Sequence, residues 1–119
     1  MAKILVVDDE ANMRFLLRVT FELAGHEVDE APNGLVAAQR VEEGRVPDLV
    51  ATDFMMPVMN GGELIARLRR NPVTEKLPVI LVSASPGSEQ KTSADAFFRK
   101  PFDPEVVTEC AAKLLGGDR

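Results

Sequence analysis

Hydrophobic positions in this chain follow two alternating rhythms. Short apolar runs occur at Lys3 to Val7 (KILVV), Leu49 to Thr52 (LVAT) and Pro78 to Val82 (PVILV). Runs of this length, bounded by turn residues, read as strands buried on both faces, as in a parallel sheet. Glu27 to Ala31 alternates apolar with polar and reads as an edge strand. Ala96 to Arg99 (AFFR) reads as the last strand, with Phe97 and Phe98 on opposite faces.

Between the strands the period changes to that of helices. Met13, Leu16, Leu17, Phe21 and Ala24 fall on one stripe, with Asp9 placed to cap that helix and Gly25 to end it. Asn33-Gly34 opens a second helix that carries Ala37, Ala38 and Val41 inward and stops at Gly44. Asn60, with Glu63 three residues on, forms a capping box for a third, which buries Leu64, Ile65 and Leu68 and ends before Asn71-Pro72. Asp103 caps the final helix with Pro104 in its first turn; Val107, Cys110, Ala111 and Leu114 form its stripe, and Gly116 ends it. After Ser83 the pattern weakens: Ser85 to Ser88 reads as loop, and Glu89 to Ser93 makes at most about one and a half helical turns. Strand and helix alternating with short connections predict a three-layer α/β domain around a parallel five-stranded sheet. No linker, repeat or low-complexity segment divides the chain, so residues 1–119 are expected to form one domain. The tail from Gly116 to Arg119 reads equally as a natural end or as a cut inside a linker.

Composition narrows the function classes. Fourteen basic residues stand against 19 acidic ones, for a net charge of −5, which argues against a nucleic-acid surface. The single cysteine, Cys110, cannot form an internal disulfide, which fits a reducing compartment. The N-terminus carries too short an apolar run for a signal peptide, and no stretch reaches the ~20 apolar residues that span a bilayer. A cytoplasmic protein is expected.

Chemistry gathers at the strands' carboxyl ends. The first strand ends in Asp8 and Asp9, the third in Asp53, the fourth in Ser83 and the fifth in Lys100. Right-handed crossovers bring these ends to one edge of the sheet, where open α/β folds place their ligands. Like-charged carboxylates 4 Å apart repel by about 4 kcal/mol at an effective dielectric near 20. Such a cluster requires either a bound proton or a cation, and hard oxygen donors suit magnesium. Singly these residues have plainer readings: Asp9 as a helix cap, Lys100 as a solvated lysine, Ser83 as a strand-end hydroxyl. Met55, Met56 and Met59 read as packing, His26 as an exposed loop residue and Cys110 as a core residue. Joint placement at successive strand ends is the stronger signal.

The combination of ILVVDDE (Ile4 to Glu10), APNG (Ala31 to Gly34), PDLVATDFMMPVMNG (Pro47 to Gly61), LPVILVSA (Leu77 to Ala84) and FFRKPF (Phe97 to Phe102) resembles the receiver domain of bacterial two-component response regulators. The likeness covers essentially the whole chain. It implies a flavodoxin-like (CheY-like) sandwich with strand order 2-1-3-4-5. It implies Asp53 as phosphoacceptor, with magnesium (or manganese) held by Asp8, Asp9, Asp53 and the backbone carbonyl of Met55. Ser83 corresponds to the switch hydroxyl, Phe97 to the switch aromatic and Lys100 to the family's lysine, with a cis bond to Pro101. The implied partners are a sensor histidine kinase or phosphotransfer protein and a downstream protein target of unknown identity. Such a domain is a phosphoacceptor that assists its own phosphorylation and dephosphorylation rather than an enzyme acting on other substrates.

Two departures stand out. Ser83 and Lys100 are 17 positions apart (100 − 83), short for the family by roughly one helical turn or more. A helix before the last strand is therefore expected to be short or absent, which puts the usual output face in question. Ser93-Ala94 also stands where a Gly-Ala pair is common. Among rivals, a haloacid-dehalogenase-type phosphatase needs its two aspartates two residues apart, whereas Asp8 and Asp9 are adjacent. A flavodoxin-like cofactor binder needs a phosphate-accepting loop where this chain has DDE. The complete set of acceptor, acidic pair, Ser83 and Lys100 argues against a degenerate receiver acting only as a protein-interaction module, while the shortened helix before the last strand keeps that alternative open.

Overall fold

The computed structural model describes residues 1–84, 87 and 92–116. Five strands, β1 (Lys3–Val7), β2 (Glu27–Ala31), β3 (Leu49–Thr52), β4 (Val79–Ser83) and β5 (Ala96–Arg99), form one parallel sheet in the order β2-β1-β3-β4-β5. Among the described residues four helices accompany it: α1 (Ala11–Leu23), α2 (Gly34–Glu42), α3 (Gly61–Arg69) and α4 (Pro104–Leu114). This is the flavodoxin-like arrangement expected. The segment expected to hold a shortened helix lies, but for Thr92 and Ser93, outside the described residues.

Alternation along the strands builds two cores. Leu5, Val7, Val50 and Leu81 face α2 and α3, where Ala38, Leu64 and Leu68 meet them. Ile4, Val6, Ala51 and Val82 face α1 and α4, against Leu17, Phe21, Val107 and Ala111. β3 and β4 are buried along their whole length because helices cover both faces. Phe97 packs into the first core and Phe98 into the second.

Local details depart from expectation in informative ways. Asp9 does not cap α1. The cap position is Glu10, without a side-chain hydrogen bond, and the Asp8 carboxylate accepts the Glu10 amide at 2.9 Å. On α1, Leu16 is 45% exposed and Ala24 is exposed, while Thr20 is buried and donates to the Leu16 carbonyl. Cys110 and Leu114 are only half-buried. β4 runs one residue later than expected, so Ser83 belongs to the strand. His26 is half-buried rather than exposed and accepts the Ala2 amide on Nδ1. The caps of α2, α3 and α4 form as expected: Asn33 accepts Val36 N–H, Asn60 and Glu63 make the capping box, and Asp103 accepts Glu105 N–H.

Candidate functional site

Strand register places the acids. Val7 lies opposite Thr52, so the next residues, Asp8 and Asp53, leave adjacent strands side by side. The Asp53 amide donates to Val7 O at 2.9 Å and the Asp8 amide to Ala31 O at 3.2 Å, which continues the ladder into the site. Glycine makes the next turn possible. A Cβ on Gly61 would sit 2.3 Å from the Asp53 carbonyl oxygen, so only hydrogen fits where α3 begins against the end of β3.

Asp8, Asp9 and Asp53 converge, offering carboxylate oxygens that lie within 4.8 Å of one another. Asp8 is fully buried and held at every polar atom. Besides its amide, its Oδ1 accepts Glu10 N–H, its Oδ2 accepts Lys100 Nζ at 3.1 Å, and its carbonyl accepts Arg14 Nη1 at 2.8 Å. Asp53 is 6% exposed; its Oδ1 accepts the Phe54 amide at 2.8 Å and lies 3.5 Å from Lys100 Nζ. Among the described residues its Oδ2 takes no hydrogen bond. Asp9 is exposed, and among the described residues its carboxylate accepts no hydrogen bond.

Burial raises the Asp53 carboxyl above the ordinary carboxylate range, and the neighbouring Asp8 charge adds to the rise. Lys100 and the Phe54 amide oppose it without cancelling it. Three carboxylates facing one ammonium leave an excess of about two negative charges, which a divalent cation matches. The donors are all hard oxygens at a separation one octahedral ion can bridge, so this set fits magnesium.

The remaining expected residues lie around this centre. Ser83 is buried at the end of β4, the strand beside β3, and in register with Arg99, so Lys100 follows directly; the Lys100 amide donates to Ser83 O at 3.0 Å. The Lys100–Pro101 peptide is cis. Phe97 is half-buried two residues before Arg99, and Met55 is 61% exposed just after Phe54.

Three features escaped the sequence reading. Arg14 bonds to the Asp8 carbonyl, a contact that six positions of separation do not advertise. Val58 adopts φ 71°, and Met59 N–H donates to Pro57 O across it at 2.8 Å, the geometry of a γ-turn. Arg69 binds Leu77 O, Ser93 O and Asp95 Oδ2, which pins the starts of β4 and β5 to α3.

Comparison with known proteins agrees with this arrangement. The family model of the response regulator receiver domain matches residues 4–112. The phosphate regulon transcriptional regulatory protein PhoB of Rhizobium meliloti is 41% identical over 118 residues, a match covering 94% of this chain and 52% of PhoB. The chain thus spans about half the length of that relative. A chemotaxis protein CheY homolog of Campylobacter jejuni is 33% identical over 120 residues, covering 96% of this chain and 92% of the homolog. The response regulator TrrA of Thermotoga maritima, solved in complex with Mg(2+)-BeF, superposes with a TM-score of 0.86 at 34% identity, covering 96% of this chain and 99% of TrrA.

Proposed function

This chain belongs to the response regulator receiver domain family, and from that premise we propose that it accepts a phosphoryl group on Asp53 and transmits the event as a change of protein-binding surface. The observation that carries the reading is the asymmetry of the Asp53 carboxylate. One oxygen is fixed by the Phe54 amide and faces Lys100, the other takes no hydrogen bond among the described residues, and the carboxylate as a whole converges with those of Asp8 and Asp9.

In this reading Asp8, Asp9 and Asp53, with the Met55 carbonyl, would hold magnesium, which when bound would screen the carboxylates from an incoming phosphoryl dianion. The free oxygen of Asp53 attacks phosphorus in line. As the new P–O bond forms, the P–N bond to the donor's phosphohistidine breaks, and the imidazole leaves with the electron pair and takes a proton from solvent. Lys100 moves from Asp8 to a phosphoryl oxygen, and the Ser83 hydroxyl donates to another. Burial serves the product: it excludes water from the acyl phosphate.

Moving a two-state equilibrium from 1:99 to 99:1 takes about 5.5 kcal/mol. A Ser83 hydrogen bond to a charged oxygen supplies about 1.5–3 kcal/mol. Lys100 and the inward turn of Phe97 must contribute the remainder. The donor is a sensor histidine kinase or phosphotransfer protein, consistent with a cytoplasmic setting. The recipient of the signal is a protein rather than nucleic acid, in keeping with the net charge of −5.

Intact-mass analysis after incubation with acetyl phosphate and magnesium tests the proposal. The expected result is one added phosphoryl group on the wild type and none on Asp53→Asn. A wild type that stays unmodified with donor and metal in excess leaves a degenerate receiver working by protein contact alone.

A further inference from the structure

Accepting the phosphoacceptor reading, we propose that Arg14 is the positioning residue for the acidic pair, setting the peptide that joins Asp8 to Asp9. Arg14 lies in the first turns of α1 with its side chain 21% exposed. Its Nη1 donates to Asp8 O at 2.8 Å, while its Nε donates to Glu30 Oε1 at 3.3 Å. Glu30, on β2, is in turn held by Arg18 Nη1 at 2.8 Å. The guanidinium is therefore fixed at one end by the sheet and presents its other end to a single backbone carbonyl.

That carbonyl matters because a peptide unit is planar. Fixing Asp8 O fixes the plane that contains the Asp9 amide and Cα. Asp8 needs little help from it, since its side chain is already bound by Glu10 N–H and Lys100. Asp9 has no such support: its carboxylate is exposed and accepts no hydrogen bond among the described residues. Its place in the cluster depends on the backbone that carries it, and Arg14 holds that backbone.

Electrostatics alone predicts the opposite effect. A guanidinium beside a dication site repels the ion, so removing it should tighten binding. Positioning predicts weakening, because losing a partner that orients a ligand costs about 10- to 100-fold in metal affinity. The sign of the change separates the two.

The test measures magnesium affinity by calorimetry on Arg14→Gln, Arg14→Lys and Arg18→Gln, beside the wild type. Arg18→Gln removes the same charge from the same Glu30 network without touching Asp8. Arg14→Gln is expected to weaken magnesium binding about tenfold. Arg14→Lys, whose single ammonium cannot serve Asp8 O and Glu30 as a planar fork does, should fall between it and the wild type. Arg18→Gln should stay within about twofold of the wild type, as exposed charge changes usually do. In NMR spectra the Asp9 and Glu10 amides should shift in both Arg14 variants and not in Arg18→Gln. Unchanged or tighter binding in folded Arg14→Gln overturns the proposal, as does an equal loss in Arg18→Gln. Failure of both Arg14 variants to fold also overturns it, by making the residue a support of the fold at large. A wild type that binds no magnesium defeats the phosphoacceptor reading itself, and the inference falls with it; a wild type that binds and is phosphorylated while Arg14→Gln matches it defeats the inference alone.

Discussion

Lys100 Nζ lies 3.1 Å from Asp8 Oδ2 and farther, at 3.5 Å, from Asp53 Oδ1. The ammonium thus occupies a ligand oxygen of the acidic cluster, and a divalent ion must compete with it for Asp8. Lys100→Met keeps the apolar stem and removes the competitor. Magnesium affinity should rise by about tenfold, the equivalent of ~1.4 kcal/mol and well inside the Coulomb energy of a close pair. Phosphoryl uptake from acetyl phosphate should fall in the same variant, since the cation that meets the incoming oxygen is gone. Calorimetry and intact mass check the two halves; weaker magnesium binding would show that Lys100 assists the metal instead of opposing it.

Asp53→Asn separates the burial cost from the chemistry. The folded protein holds the Asp53 carboxyl above its ordinary value of 3.8, chiefly through burial and then through Asp8. An acid with a raised folded-state pKa binds its proton more tightly when folded. Its contribution to stability is most favourable below the unfolded value and declines as pH rises through the folded value. Without magnesium, Asp53→Asn should melt a few degrees above the wild type at neutral pH. The advantage should shrink as pH is lowered into the acidic range, where the wild-type carboxyl takes up its proton earlier in the folded protein than in the unfolded chain. Melting curves across that range decide it; a gap that widens on acidification reverses the sign.

The sheet and its site were legible for the same reason. A parallel strand covered on both faces is an uninterrupted apolar run, and the polar residue that ends the run lies at the sheet's carboxyl edge. Asp8, Asp53 and Ser83 could be placed by that rule alone. What the chain hides are contacts in which a side chain meets a backbone far from its own. Arg14 to Asp8 O and Arg69 to Leu77 O have no periodic signature. The phase of α1 was also ambiguous, because Phe15, Leu16 and Leu23 are apolar and exposed while Thr20 is buried. Thr20 fits the interior by bonding to Leu16 O, which hydrophobicity does not reveal. Asp9 looked like a cap because aspartate often precedes a helix; α1 begins at Ala11 with Glu10 in the cap position, one residue later than expected, and Asp9 belongs to the cluster.

Gly61 carries the close approach between α3 and the phosphoacceptor strand. An added Cβ would meet Asp53 O at 2.3 Å and Phe54 Cα at 2.9 Å, both backbone. Gly61→Ala must therefore displace the backbone of Asp53 and Phe54, and a loss of about 2 kcal/mol is expected on denaturant unfolding. Gly62→Ala meets the Phe54 ring at 3.1 Å, a side chain that can turn, and should cost less. Equal losses at the two positions would remove the special role given to Gly61.

Val58 holds a left-handed backbone that a β-branched residue adopts with strain, at φ 71°, with its side chain 73% exposed. The cost of that conformation is about 1–2 kcal/mol for an L-residue other than glycine or asparagine. Val58→Asn keeps a side chain and tolerates the geometry, so it should stabilise the fold by up to about 1 kcal/mol in denaturant titrations. A destabilised Val58→Asn would mean that the exposed valine makes contacts worth more than the strain.

His26 supplies a second pH dependence, of opposite sign to that of Asp53. Its Nδ1 accepts the Ala2 amide at 3.2 Å, which requires that nitrogen to be unprotonated, and its ring meets Phe21 edge-on at 6.4 Å. Burial lowers its pKa below 6.5, and the N-terminal ammonium pushes in the same direction. A base with a depressed folded-state pKa contributes stability that is complete above the unfolded value and is lost as pH falls through the folded one. The wild type should therefore lose melting temperature between about pH 7 and pH 5, and His26→Gln should flatten that slope. Because the acid cluster lies at the opposite end of the strands, the flattening should appear equally with magnesium present and absent. A slope that His26→Gln leaves intact would show that it does not originate in the His26 contacts to Ala2 and Phe21.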